Sequence, residues 1–226
     1  MRVWVIIPAA GTGARFGGDR PKPLADLAGR PLIARTLAVF EQCPLVDGIV
    51  LLVHRDWRGD YEKVVADGSF GKVRAVVAGG ATRTASVRAG LAALDKGVSV
   101  VMVHDGVRPF VTHAMIAEGL RAVQATGAAV AGVPVKPTIK SVDPRTRMAI
   151  ATLDRELLWE AQTPQVFDRE LLEKAYAAQG ADGAVATDDA ALVERLGVRV
   201  QMFEGAYTNI KVTTPDDMVV AGALLK

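Results

Sequence analysis

Short uninterrupted apolar runs recur along the chain, separated by stretches whose apolar residues return every three or four positions. The runs Val3–Ile7, Gly48–Val53, Val73–Val77, Val98–Val103 and Ala128–Val133 are rich in β-branched residues and read as buried strands. Between them, Pro31–Phe40 reads as a helix with Leu32, Leu37 and Phe40 on one side. Thr84–Leu94 places Val87, Leu91 and Leu94 at helical spacing, and Thr112 is a candidate N-cap for a helix through Val123. Apolar strands divided by helices predict an α/β fold, with a mostly parallel sheet covered on both faces. Ligands of such sheets lie beyond the carboxyl ends of the strands. The loops at Gly11, Gly79 and Asp105 all follow such ends and can converge on one crevice.

Residues 134–152 break this rhythm. Lys136–Val142 and Met148–Ala151 flank the polar turn Asp143-Pro144-Arg145-Thr146 and read as a protruding β-hairpin arm. A lone two-stranded arm is marginally stable in water, so it should pack against something, a second copy of the chain being one candidate. Beyond it the pattern predicts helices at Arg169–Gln179 and Thr187–Leu196, and strands at Val198–Phe203 and Asn209–Val212. A last helix starts at Pro215 with Thr214 as its cap. No repeat or linker divides the chain, so residues 1–226 read as one domain.

Composition narrows the function classes. Half the residues are hydrophobic, and 27 basic against 25 acidic residues leave a formal charge of only +2. That excludes a disordered chain and gives no strong attraction to nucleic acid. Cys43 stands alone, so neither an intrachain disulfide nor a cysteine metal site is available, and His54, His104 and His113 lack a metal-ligand spacing. No apolar stretch reaches membrane-spanning length and no signal pattern opens the chain; a soluble cytoplasmic protein is expected.

The chemistry concentrates in the polar connections. Pro8-Ala9-Ala10-Gly11-Thr12-Gly13-Ala14-Arg15 leaves the first strand, and Pro21-Lys22-Pro23 follows. Gly11 and Gly13 let backbone N–H groups approach phosphate oxygens, while Arg15 and Lys22 add two cations. Phe16 stands where a dinucleotide fingerprint needs its third glycine, and the Gly-Lys-Ser/Thr of a P-loop is absent. Gly79-Gly80 would let backbone approach a flat base, with the Ser86 hydroxyl at its edge; a plain helix start capped by Thr82 or Thr84 explains the segment equally well. Asp105 ends a strand and could hold Mg²⁺ beside substrate phosphates, with Arg108 as a phosphate fork. An Asp105–Arg108 turn pair is the plainer alternative. Trp159 reads as core, Arg155 as a surface cation, Lys211 as a cation on a short strand, and Thr187-Asp188-Asp189 as a helix cap.

The ordered set P-A-A-G-T-G-A-R-F with P-K, G-G-A-T-R-T-A-S-V, H-D-G-V-R-P, D-R…W…T-P-Q, T-D-D and N-I-K-V-T resembles the 2-C-methyl-D-erythritol 4-phosphate cytidylyltransferases, over Ile7 to Asp217. The resemblance implies a Rossmann-like nucleotidyltransferase three-layer sandwich. It implies transfer of a cytidylyl group from CTP to a polyol phosphate, with a ribitol 5-phosphate enzyme as the alternative. It assigns Arg15 and Lys22 to the charge at the α-phosphate, Arg155 and Lys211 to the attacking phosphate, and Asp105 to Mg²⁺ or another hard divalent ion. Pro8, Ala9, Ala10, Gly11, Thr12, Gly13, Gly79, Gly80, Arg83 and Ser86 would lie near the nucleotide. Arg108, Thr138, Thr163 and Thr187 would lie near the polyol phosphate, with Thr138 on an arm that crosses to the partner of a homodimer. Pro23, Ala81, Pro137 and Thr208 depart from residues common in that family. The chemistry is consistent: an ionised phosphate nucleophile needs no general base, and the transfer depends on positioning and charge stabilisation.

Overall fold

A computed structural model describes residues 1–11, 20–179 and 186–225. Thr12, Gly13 and Arg15 lie outside the described residues. In chain order, β1 (Val3–Ala9) is followed by the small antiparallel pair β2 (Asp26–Leu27) and β3 (Arg30–Pro31), then α1 (Leu32–Gln42) and β4 (Gly48–Val53). Next come α2 (Arg58–Asp67), β5 (Val73–Ala78), α3 (Arg83–Ala92), β6 (Val100–Val103), α4 (His113–Thr126) and β7 (Ala128–Pro134). The arm is β8 (Lys140–Val142) paired antiparallel with β9 (Ala149–Thr152). After it run β10 (Trp159–Asp168), α5 (Arg169–Ala178), α6 (Ala190–Glu194), β11 (Gln201–Glu204) and α7 (Pro215–Leu224).

The main sheet has seven strands in the order β11-β7-β10-β6-β1-β4-β5. All pairs are parallel except those of β10, which runs against both β6 and β7. Side chains of a strand alternate between faces, and here both faces are apolar. Val3, Val5 and Ile7 of β1 pack with α1 residues Ile33, Leu37 and Phe40 and with Ile116 and Leu120 of α4. Trp4 and Ile6 face the opposite layer, with Val87 and Leu91 of α3 and Leu172 and Tyr176 of α5. This double burial is why the strands read as unbroken apolar runs, and it gives the expected three layers.

The chain leaves β1 toward β4 and β5, then returns to place β6 on the other side of β1. This reversal opens a crevice at the carboxyl ends of β1 and β6. Because β10 is antiparallel, its amino-terminal part arrives at that same edge: Gln165 pairs with Val103, and Thr163 lies just beyond the end of β6, where its hydroxyl meets the Asp105 N–H. No helix among the described residues is long and apolar enough to cross a membrane.

The structure departs from the sequence expectations in four places. Asn209–Val212 forms no strand; Ile210 and Val212 instead pack in a small apolar cluster with Leu27, Val107 and Ala221. The helix expected from Thr187 is only α6, and Thr187 is not its cap. Trp159 is not core but 42% exposed at the start of β10. The strand β10 and the helix α2, whose only buried residue is Tyr61, had no clear periodic signal.

Candidate active site

The crevice is a cleft of about 650 Å³. Its walls come from the segments that follow β1, β4, β5 and β6 and from the segment before α7. Pro8, Ala9, Ala10 and Gly11 continue β1 into one wall, and the Tyr61 hydroxyl of α2 fixes that strand end by donating to the Ala9 carbonyl at 2.9 Å. Lys22 lines the cleft from a single turn, Lys22–Leu24, held between Pro21 and the buried Pro23. Each proline fixes its own φ, so the backbone under Lys22 has little freedom.

The second wall is the loop into α3, where Gly80, Arg83 and Ser86 line the cleft. A Cβ on Gly79 would lie 2.4 Å from Ala10 Cβ, and one on Gly80 would lie 2.6 Å from Ala85 Cβ. The glycine pair therefore lets this loop close onto the loop after β1. Thr82 caps α3 through the Ala85 N–H. The Ser86 hydroxyl serves the loop itself, accepting the Gly80 N–H at 3.0 Å and donating to the Thr82 carbonyl at 2.9 Å.

The floor is Asp105, with its side chain 12% exposed. Lys211 Nζ lies 2.7 Å from Asp105 Oδ2, while Arg108 Nε is 3.8 Å from the same oxygen. The turn pair with Arg108 is present, but Lys211 is the closer partner. Burial by itself would raise the Asp105 carboxyl; Lys211, Arg83 and Arg108 together outweigh it and hold Asp105 below the usual carboxylate range. Lys211 reaches this position because Ile210 and Val212 anchor its flanks, and because the Val212 N–H donates to the Val107 carbonyl at 2.9 Å.

Behind the floor lies a fully buried hydrogen-bond chain. Thr163 Oγ1 accepts the Asp105 N–H at 3.1 Å and contacts His104 Nδ1 at 3.0 Å. His104 Nε2 contacts the Arg108 carbonyl at 3.0 Å. A carbonyl can only accept, so Nε2 carries the hydrogen and the Thr163 hydroxyl donates to Nδ1. Burial pushes His104 down to about 4, which keeps the ring neutral in this chain of bonds. Arg108 Nη1 donates to the Asn209 carbonyl at 2.7 Å, and Asn209 Nδ2 donates to the Thr163 carbonyl at 2.9 Å. Thr163 and Arg108 are thus buried braces under the floor.

The remaining predicted residues are not gathered into this cleft. Arg155 sits on a turn after the arm, exposed, with Nη1 donating to the Lys136 carbonyl at 3.0 Å. Thr138 is exposed on the arm and Thr187 is exposed ahead of α6. A second cavity of about 470 Å³ lies between α3 and α5, lined by residues such as Arg88 and Arg169, and contains none of the predicted site residues.

Among the described residues, the cleft thus joins several strand-end loops, two lysines and one carboxylate at the topological switch point of a mostly parallel sheet. The family model for IspD, 2-C-methyl-D-erythritol 4-phosphate cytidylyltransferase, matches residues 3–226. The chain belongs to this cytidylyltransferase family. It is 45% identical over 229 residues to the 2-C-methyl-D-erythritol 4-phosphate cytidylyltransferase of Geotalea uraniireducens, covering all of this chain and 97% of that one. The crystal structure of 4-diphosphocytidyl-2C-methyl-D-erythritol synthase from Anaerococcus prevotii superposes with a TM-score of 0.86 at 30% identity, covering 99% of this chain and 98% of that one. The Thermus thermophilus 2-C-methyl-D-erythritol 4-phosphate cytidylyltransferase gives 0.80 at 35% identity, over all of this chain and 99% of its own.

Within this cytidylyltransferase fold, several residues have a role at the site that the sequence did not assign to them. His54 lines the cleft at the end of β4, its Nδ1 accepting the Asp56 N–H at 3.3 Å. Asn209 and Gln162 brace the Lys211 segment against β10, 3.2 Å apart. Their partners are distant in sequence, so spacing alone could not have found them.

Proposed function

We propose that the chain catalyses CTP plus 2-C-methyl-D-erythritol 4-phosphate giving 4-diphosphocytidyl-2-C-methyl-D-erythritol and pyrophosphate. The observation that carries the reading is the cleft itself, which Lys22 lines together with the paired Lys211 and Asp105 at the carboxyl edge of the sheet. A phosphate oxygen of the polyol phosphate attacks the α-phosphorus of CTP; the new P–O bond forms as the bond to the β-phosphate bridge breaks. Charge builds on the phosphoryl oxygens and on the departing pyrophosphate, and fixed cations in a partly buried cleft act on that charge. In this reading Lys22 and Arg15 act at the α-phosphate, while Lys211 and Arg155 hold the attacking phosphate. Thr138 and Thr187 serve the polyol side directly, and Arg108 and Thr163 serve it from behind, by bracing Asp105 and the Lys211 segment. A cytoplasmic location is part of the proposal.

CTP is expected to be strongly preferred over ATP, GTP and UTP. A site that pairs with the amino group of cytosine leaves buried polar atoms unpaired when uracil enters. Pyrophosphate release assayed with each nucleotide tests this, and comparable turnover with UTP would refute it. Running the same assay with ribitol 5-phosphate tests the acceptor.

A divalent cation fits the donor set. Asp105 is the only carboxylate lining the cleft among the described residues, and no group of three metal-ligating side chains occurs there. Mg²⁺ suits such a site, since it takes one or two carboxylates and draws its other ligands from water and substrate phosphates. When bound it would neutralise phosphate charge, and Asp105 would hold it. Asp105→Asn should therefore shift the Mg²⁺ titration of activity to higher concentration; an unchanged titration would return Asp105 to a partner of Lys211 alone.

The arm supports a homodimer with composite sites. Val142, Met148, Ile150, Leu153 and Leu157 are 48%, 70%, 69%, 42% and 80% exposed on the arm and the turn that follows. Apolar side chains clustered in this way mark an interaction surface. The arm's root is fixed to the body: the Tyr207 hydroxyl donates to the Pro134 carbonyl at 2.8 Å, and Lys136 Nζ lies 3.5 Å from the Tyr207 ring centroid. Thr138 and Arg155 would then serve the partner's cleft.

A further inference from the structure

Capping of α6 accounts for Asp188, whose Oδ1 accepts the Ala191 N–H at 2.9 Å, but it leaves Asp189 without a role. The Asp189 side chain makes no capping bond to α6 and is fully buried. Its Oδ2 lies 2.6 Å from Arg83 Nη2, and its Oδ1 accepts the Tyr176 hydroxyl of α5. The Asp189 N–H is itself fixed by donation to Gln165 Oε1 at 3.2 Å, and Gln165 belongs to β10. A buried carboxylate with a partner on each oxygen thus ends on a single guanidinium, whose side chain is 32% exposed and lines the cleft.

Stability alone is a weak reason for such a pair. A buried ion pair is often replaceable by apolar residues without loss, because desolvation offsets the attraction. Its geometric effect is stronger. A guanidinium has five N–H groups in a planar fork, and the contact with Asp189 fixes the direction of the others.

We propose that Asp189 is a positioning residue: by gripping Arg83 from behind, it presents the guanidinium to CTP already oriented. This rests on the reading of the cleft as the CTP site. Nucleotide binding then avoids the entropic cost of ordering a long side chain. Tyr176 and Gln165 take part indirectly, by holding Asp189.

Steady-state kinetics with varied CTP at saturating 2-C-methyl-D-erythritol 4-phosphate test this in Asp189→Asn, Arg83→Ala and the double variant. Asp189→Asn keeps the shape and removes the charge. It is expected to raise KM for CTP roughly tenfold, with a smaller change in kcat, as for lost uniform binding. In the Arg83→Ala background the same substitution should add little, since the side chain it orients is gone. An equal rise in both backgrounds would show that Asp189 acts by supporting the fold, and would overturn the proposal. Tyr176→Phe, which removes only the hydroxyl on Asp189, should give a smaller rise that also vanishes without Arg83; a rise that persists without Arg83 counts against the proposal, as does none at all in either variant. Wild-type protein that neither binds nor turns over CTP would instead refute the assignment of the cleft, and this inference with it.

Discussion

Lys22→Ala should lower kcat by about two orders of magnitude while changing KM for CTP much less. One fixed cation or hydrogen-bond donor acting on charge that develops in the transition state is worth about 3 kcal/mol. Lys22 meets the structural condition for such a role. It lines the cleft from a turn bounded by Pro21 and Pro23, so its backbone is set before substrate arrives. Lys211→Ala should show a loss of similar size for a different reason. It removes a cation from the acceptor side and also takes away the charge that does most to keep buried Asp105 ionised. Arg15→Ala belongs to the same series. Measuring kcat and KM for both substrates separates the cases. A rise in KM for CTP with kcat unchanged would show that these side chains bind ground and transition states alike, and would remove them from the chemistry.

Mixing two inactive proteins should restore activity. One carries Thr138→Ala and Arg155→Ala, the other Lys22→Ala. If the arm serves the partner's cleft, each mixed dimer contains one doubly damaged site and one intact site. Random exchange of equal amounts makes half the dimers mixed, so activity should reach about a quarter of wild type. The structural basis is the separation within one chain: Lys22 lines the cleft, while Thr138 and Arg155 are exposed on and beside an arm whose apolar residues face water. Native mass measurements on tagged subunits establish that mixed dimers have formed. Their formation without recovered activity would mean that each arm serves its own subunit, and a monomer at working concentration would remove the model.

What could be read in advance followed from burial. β1, β4, β6 and β7 are buried on both faces for most of their length, so their apolar runs announced them. β10 did not stand out, because its first residues are exposed and Gln162, Thr163 and Gln165 bury polar groups. Such groups make sense only once Asn209, His104 and Asp189 are brought alongside by the fold. The same holds for Lys211, whose local sequence read only as a cation on a short strand, whose site role came from the family resemblance, and which is paired with Asp105. Its flanking apolar residues, Ile210 and Val212, join the α7 cluster rather than a sheet ladder, which is why the strand expected there does not form. Asp189 read as a dipole partner for a helix, the usual use of an acid at that place. Nothing near it in the sequence pointed to Arg83.

The reversal of β10 lets the chain between β7 and β10 leave the sheet and return at the same edge. Strands β1, β4 and β6 can stay unchanged beneath the nucleotide loops while the stretch between β7 and β10 lengthens, shortens or changes at its tip. Insertions there would remodel the region that carries Thr138 and Arg155, and would leave the apolar layers around β1 untouched. With Thr138 and Arg155 in their proposed roles, a change in the length of that stretch would be felt by the acceptor before it was felt by the loops after β1 and β5.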